Sequence, residues 1–221
     1  MQHTKTFLRD TVTVEPSNKA RAAVILLHGL GADAGDLSEL ARHLQLPCDS
    51  VRFVFPNAPL LPVSINGGML MPAWFDILGL TANSKQDKEG ILKAKDHIEL
   101  LIHEENERGI PYEKIYLGGF SQGGALALFA GLHCSKRLGG VIGLSTYLPI
   151  ADSLSPLHQM LPIFLGHGTH DQVVPFAWGE LAAQQLRGFG CEVNWCTFSA
   201  EHTITIEEVE KLREWLRGSI S

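Results

Sequence analysis

Ile115-Tyr116-Leu117-Gly118-Gly119-Phe120-Ser121-Gln122-Gly123-Gly124-Ala125-Leu126-Ala127-Leu128-Phe129-Ala130-Gly131-Leu132 holds no charged residue and changes character at its centre. Ile115 to Leu117 is a short apolar run of strand type, and Ala125 to Leu132 is apolar nearly all round, as in a buried helix. Between them lies Gly119-Phe120-Ser121-Gln122-Gly123, a G-x-S-x-G. A chain that turns from strand to helix within these residues holds Ser121 in a strained conformation that lifts its hydroxyl clear of the sheet. Residues two positions away must then lack side chains, which Gly119 and Gly123 satisfy. The competing reading is a phosphate-cradling loop, but that needs G-x-x-x-x-G-K-[ST] spacing, and no Lys follows.

Outward from this turn, apolar runs of strand length alternate with helical patterns. Ala22–Leu27, Val51–Phe55, Lys114–Gly118, Gly140–Leu144, Pro162–Gly166 and Val193–Phe198 read as strands, and Thr6 to Val14 alternates like an antiparallel edge. Leu37, Leu40, Ala41 and Leu44 share one helical face, as do Ile91, Ala94, Ile98, Leu101 and Ile102. Thr205-Ile206-Glu207-Glu208 has capping-box spacing ahead of a stripe of Ile206, Val209, Leu212 and Leu216. The alternation predicts an α/β fold, a mostly parallel, doubly wound sheet flanked by helices, with the chemistry in loops at the strands' carboxyl ends. Residues 1–221 read as a single domain.

Composition bounds the function classes. With 221 residues, 45% hydrophobic and 19% charged, the chain can bury a sizeable core and is not disordered. A formal charge of −6 argues against a nucleic-acid partner, which needs a basic face. Cys48, Cys134, Cys191 and Cys196 are scattered without zinc spacing, so free thiols and no metal are expected. The N-terminal residues show no export signal, which points to the cytoplasm. The uncharged stretch Phe53–Phe75 carries Pro56, Pro59, Pro62 and Pro72, too many breakers for a spanning helix, so no stable membrane insertion is expected.

A serine hydroxyl is a weak nucleophile until a base takes its proton. For a serine on such a turn the chain order is Ser, then Asp or Glu, then His, each after a later strand. Asp171 lies in His167-Gly168-Thr169-His170-Asp171-Gln172-Val173-Val174-Pro175, just past the strand Pro162–Gly166. Its competitor Asp152 sits in a Pro/Ser-rich connection with no clear strand before it. His202 follows the strand Val193–Phe198 and is the only histidine after position 170. His167 and His170 read as loop hydrogen-bonding residues, because an H-x-x-H in a loop does not form a helical zinc pair. An oxyanion needs two backbone donors: the N–H after the nucleophile, Gln122, and one from the loop after an early strand, where His28-Gly29-Leu30-Gly31 offers Leu30. Exposed apolar side chains over such a site suit an acyl chain. Leu70, Met71 and Trp74, in the breaker-rich segment Pro56–Asp76, are the candidates to line a groove; the alternative is that they only cover the sheet.

These motifs occur together in one family. Leu27-His28-Gly29-Leu30-Gly31, Pro72-Ala73-Trp74-Phe75-Asp76, Gly118 to Gly124, Leu144-Ser145-Thr146-Tyr147-Leu148-Pro149 and His167 to Pro175 stand in its order. The chain resembles the small carboxylesterase/acyl-protein thioesterase family, also called phospholipase/carboxylesterase, over roughly Ala22 to Leu216. The resemblance implies an α/β-hydrolase fold without a large cap domain and a serine hydrolase of carboxylic esters or thioesters. It implies Ser121, Asp171 and His202 as the triad, Leu30 and Gln122 as oxyanion donors, and no cofactor. The substrate is an acyl ester or thioester, carried by a lipid or an acylated protein. Lysophospholipase or acyl-protein thioesterase activity stands as an alternative main activity, a non-catalytic binding protein on the same fold as a rival class, and monomer or homodimer is left open. Two departures stand out: Glu201 and Thr146 occupy positions where the family leads one to expect glycine, and Thr146 is expected to alter local strand curvature.

Overall fold

The computed structural model describes residues 11–44, 46, 50–79, 81, 84–153 and 160–220. In chain order the elements are β1 (Val12–Val14), β2 (Ala22–Leu27), α1 (Ala34–Leu44), β3 (Val51–Phe55), β4 (Leu60–Val63), β5 (Met69–Pro72) and α2 (Lys88–Glu107). Next come β6 (Ile115–Phe120), α3 (Gln122–His133), β7 (Gly140–Leu144), β8 (Pro162–Gly168), α4 (Phe176–Gly188), β9 (Glu192–Phe198) and α5 (Ile206–Ile220). Seven strands form one sheet in the order β1-β3-β2-β6-β7-β8-β9, and β4 pairs with β5 in a separate ribbon. The sheet is parallel except for β1, which runs antiparallel to β3 with Val12 opposite Phe55. This is the α/β-hydrolase architecture. Of the edge expected over Thr6 to Val14, residues 6–10 lie outside the described residues.

Continuous apolar strands form here because both sheet faces are covered. Along β2, Ala23, Ile25 and Leu27 pack toward the side of α2, α3 and α4, while Ala22, Val24 and Leu26 pack toward α1 and α5. Helix α3 is buried along nearly its whole length, as its all-round apolar sequence requires. One polar residue interrupts the pattern. Arg52 on β3 is buried and is held by an ion pair of 3.0 Å to Glu105 on α2, itself buried, and by a second to Glu15. Removing one partner of such a pair costs about 3–5 kcal/mol, because the other charge is left stranded.

The strand order reverses beside β2. From β2 the chain passes to β3 on one side, and from β6 to β7 on the other. The carboxyl ends of β2 and β6 therefore flank the crevice where open α/β sheets place their ligands. Segment 56–76 is more ordered than its prolines suggest. Strands β4 and β5 pair with Leu61 opposite Met71, and Gly67 and Gly68 turn between them at φ +67° and +79°. Pro62 is tolerated because a two-stranded ribbon leaves half of its backbone groups unpaired by partners.

The capping box at α5 is half made. The Glu208 N–H donates to Thr205 Oγ1 at 3.1 Å, but the Glu208 side chain does not return. It is fully buried against β8, where a Cβ on Gly166 would strike its carboxyl, and neither carboxyl oxygen has a hydrogen-bond partner. Burial pushes this carboxyl up to about 7 from an ordinary value of 4.5. The folded protein thus keeps a proton that the unfolded chain releases, so stability present below pH 4.5 is lost as pH rises through 7. Glu208→Gln should abolish this slope. Thermal unfolding from pH 4.5 to 8 is expected to show the wild type losing roughly 3 kcal/mol relative to the variant. Parallel curves for the two proteins would contradict the assignment.

Candidate active site

Ser121 stands between β6 and α3. Its φ of 54° and ψ of −119° lie where L-residues are strained. Two close approaches hold it there: a Cβ on Gly119 would overlap the Gly123 backbone, and one on Gly123 would overlap the carbonyls of Leu27 and His28. The Ser121 N–H donates to Leu144 O at 2.9 Å, tying the turn to the end of β7. A serine at a helix N-terminus ordinarily caps it, but Ser121 makes no such bond. Its Oγ lies instead 3.0 Å from His202 Nε2.

His202 sits in the connection between β9 and α5. That connection is fastened to the loop after β8 by two backbone bonds, Thr169 N–H to Phe198 O at 2.8 Å and His170 N–H to Ala200 O at 2.9 Å. The Phe120 ring lies 4.7 Å from the imidazole. His202 Nδ1 is 2.7 Å from Asp171 Oδ2. An ionised carboxylate only accepts, so Nδ1 carries the proton, and Nε2 is left to accept from the Ser121 hydroxyl. Asp171 is aimed by its other oxygen, which accepts the N–H groups of Val173 and Val174 at 2.9 Å each. Ser121, His202 and Asp171 are thus one hydrogen-bonded line. Asp152 is exposed on a short turn after β7, and Glu201 is exposed beside His202.

His167 and His170 make loop contacts. His167 is buried, donates from Nε2 to Val174 O at 2.9 Å and lies 3.4 Å from Asp171 Oδ2. Burial pushes its pKa below the ordinary value, so it stands behind Asp171 as a neutral ring. His170 Nδ1 is 3.3 Å from Thr169 Oγ1. Among the described residues, no group of three or more His, Cys, Asp or Glu side chains is arranged to hold a metal ion. Cys134, Cys191 and Cys196 are free thiols, and Cys48 lies outside the described residues.

Leu30 and Gln122 face the same cavity as Ser121 and His202. As the first residue of α3, Gln122 has an N–H with no helix carbonyl one turn back. Its side chain is buried elsewhere: Oε1 accepts from the Trp74 N–H at 3.0 Å, and Nε2 donates to Phe75 O at 2.7 Å. The loop of Leu30 is locked from the other side. Gly31 N–H donates to Pro72 O at 2.8 Å, and Trp74 Nε1 donates to His28 O at 2.8 Å. Ala58 N–H donates to His28 Nε2 at 3.0 Å, which leaves the ring proton on Nδ1 to donate to Gly29 O at 2.8 Å. Burial lowers the His28 pKa and favours that neutral form.

The expected acyl groove is corrected. A cavity of about 470 Å³ opens at Ser121, but Leu70, Met71 and Trp74 do not line it. Trp74 is buried behind the Leu30 loop, its ring 5.1 Å from that of His28. Leu70 is exposed, and Met71 Sδ accepts from Asn66 Nδ2 at 3.3 Å. The apolar wall comes from Ile65, Ile77, Leu148, Val173, Trp178 and Leu181. Sequence reasoning missed the α4 residues. Their signal was the apolar pair Trp178 and Leu181, three apart on a helix whose core face is met by Ala182, Ala183 and Leu186 instead.

Comparison with known proteins places this geometry. The Phospholipase/Carboxylesterase family matches residues 8–220. Acyl-protein thioesterase 1 of Yarrowia lipolytica is 42% identical over 213 residues, covering 90% of this chain and 92% of its own. The Aspergillus fumigatus protein of the same name is 38% identical over 217 residues, covering 91% and 89%. Among solved structures, Zea mays acyl-protein thioesterase 2 superposes with a TM-score of 0.87 at 29% identity, over 96% of this chain and 99% of its own. Arabidopsis thaliana SOBER1 gives 0.84 at 29% identity, over 91% and 100%. With the match running almost from end to end, the chain belongs to the phospholipase/carboxylesterase family of α/β-hydrolases.

Proposed function

We propose that the protein is a serine hydrolase that cleaves carboxylic esters and thioesters by two-step acyl transfer. The observation that carries this reading is the line Ser121 Oγ–His202 Nε2–Asp171 at 3.0 and 2.7 Å, ending at a strained turn in the floor of an apolar cavity. Ser121 Oγ attacks the acyl carbon as His202 Nε2 takes its proton, and Asp171 stabilises the imidazolium. The Leu30 and Gln122 N–H groups receive the oxyanion, one such donor being worth about 3 kcal/mol. Collapse expels the alcohol or thiol with the proton from His202. Water, deprotonated by His202, then attacks the acyl-enzyme and releases the carboxylic acid. Every step draws on protein groups and water alone.

The acyl chain is read into the cavity lined by Trp178 and Leu181. The relatives named acyl-protein thioesterase support an acylated protein as acyl donor. An acyl lipid such as a lysophospholipid presents the same ester carbonyl and is the second candidate. Among the described residues no helix is long and apolar enough to cross a membrane.

Ser121→Ala should lower kcat on p-nitrophenyl esters and acyl thioesters by at least about 10⁴-fold without loss of folding, and should abolish fluorophosphonate labelling. Residual turnover above one part in a hundred in the pure variant would overturn the assignment. Asp171→Asn, which forces the wrong imidazole tautomer, should cost about 10⁴-fold in kcat at neutral pH. Leu181→Asp should depress kcat/KM for an octanoyl ester about tenfold or more relative to an acetyl ester, whereas Met71→Asp should leave that ratio unchanged. A chain-length profile altered by the second variant and not by the first would return the groove to the β4–β5 ribbon.

A further inference from the structure

Thr146, where the family resemblance leads one to expect glycine, lies two residues past β7 and is buried. Its Oγ1 donates to Ser121 O at 2.7 Å. The Ala125 N–H reaches the same oxygen at 3.0 Å. Ser121 C=O and Gln122 N–H are the two ends of one planar trans peptide, so they point in opposite directions. Whatever fixes the oxygen also fixes the direction of the N–H. We propose that Thr146 is a positioning residue that aims the Gln122 N–H at the reacting carbonyl by gripping the far end of its peptide. The inference rests on the reading of Ser121 as nucleophile and Gln122 N–H as oxyanion donor.

The helix bond alone does not set this orientation. Ser121 at φ 54° is outside helical geometry, so the peptide joining it to Gln122 is constrained by the helix from one side only. The Thr146 hydroxyl supplies the second constraint from the β7 side. It also withdraws electron density from the carbonyl, which strengthens the N–H as a donor in the same peptide. The hydroxyl cannot swing away. A Cβ on Gly124 would stand 2.9 Å from Thr146 Cβ and 3.0 Å from its Oγ1, and one on Gly143 would stand 2.8 Å from Thr146 Cγ2, so the hydroxyl side faces one bare glycine, the methyl the other, and the β-branched rotamer is fixed. Ser145, just before it, is pinned by its N–H to Gly166 O at 2.8 Å. The contact of this residue is therefore with the turn at Ser121.

Thr146→Val keeps the shape and removes the donor, Thr146→Ser keeps the donor and removes the methyl, and Thr146→Gly removes both without introducing bulk. Steady-state kinetics on p-nitrophenyl butyrate should show kcat down about tenfold in the Val and Gly variants with KM within twofold, and kcat largely retained in the Ser variant. Affinity for an alkyl trifluoromethyl ketone, which becomes a tetrahedral oxyanion on Ser121, should fall by the same factor as kcat/KM. Wild-type kcat in both Val and Gly variants would overturn the proposal, as would a loss in the Ser variant equal to theirs. Should Val disturb folding, read by its melting temperature, the Gly and Ser pair carries the test. Ser121→Ala is assayed alongside: turnover surviving there sinks the serine-hydrolase reading itself, whereas an inactive Ser121→Ala beside fully active Val and Gly variants sinks only the role of Thr146.

Discussion

The backbone of α3 enters so close to the end of β2 that a single carbon atom on Gly123 would collide with the carbonyls of Leu27 and His28. This contact forces the chain to reverse within one residue, and Ser121 absorbs the reversal at φ 54°. The strain, of order 1–3 kcal/mol, persists because the sheet and α3 over-determine it. Its consequence is chemical. A serine at this φ no longer caps its own helix, so its hydroxyl is available to His202, and the first N–H of α3 is presented beside it. The placing of the hydroxyl and of the N–H beside it are therefore consequences of one packing constraint.

Leu30 is held by a different means. The loop of Leu30 is fastened to the 56–76 segment by a buried polar network running through His28, Ala58, Trp74, Phe75 and Gln122. Such networks stabilise a single arrangement when every member is paired, and a half-paired one costs more than an apolar contact. Trp74 illustrates the logic. Its indole is buried, and its one donor goes to the His28 carbonyl, so it supports the loop of Leu30 from behind and does not line the cavity. The same 56–76 segment that the sequence suggests as the wall of a groove serves in the structure as a brace.

The sheet and the hydrogen-bonded line of Ser121, His202 and Asp171 could be read from the chain because their signals are local. Uninterrupted apolar runs mark strands buried on both faces, and the order Ser121, Asp171, His202 after successive strands follows from where parallel strands end. The β4–β5 ribbon was hidden by Pro59, Pro62 and Pro72, which oppose strand formation in a sheet interior but not in an exposed two-stranded ribbon. The lining of the cavity was not legible for a deeper reason. Leu70, Met71 and Trp74 are apolar and sit in a breaker-rich segment, yet whether such residues face the cavity depends on tertiary packing, and Trp178 and Leu181 come from α4, seven and ten residues past Asp171. Glu208 shows the same limit: its spacing satisfied a capping box, but packing against Gly166 took its side chain into the core.

Acyl transfer as proposed requires Ser121 Oγ to be the atom that bonds to the acyl group. Reaction of the wild-type protein with a fluorophosphonate ester, followed by tryptic mass spectrometry, measures this directly. One adduct per chain is expected, in the peptide Ile115–Lys136, with fragmentation placing it on Ser121 and with its appearance matching the loss of ester turnover. An adduct on any other residue, or complete loss of turnover with Ser121 unmodified, would contradict it.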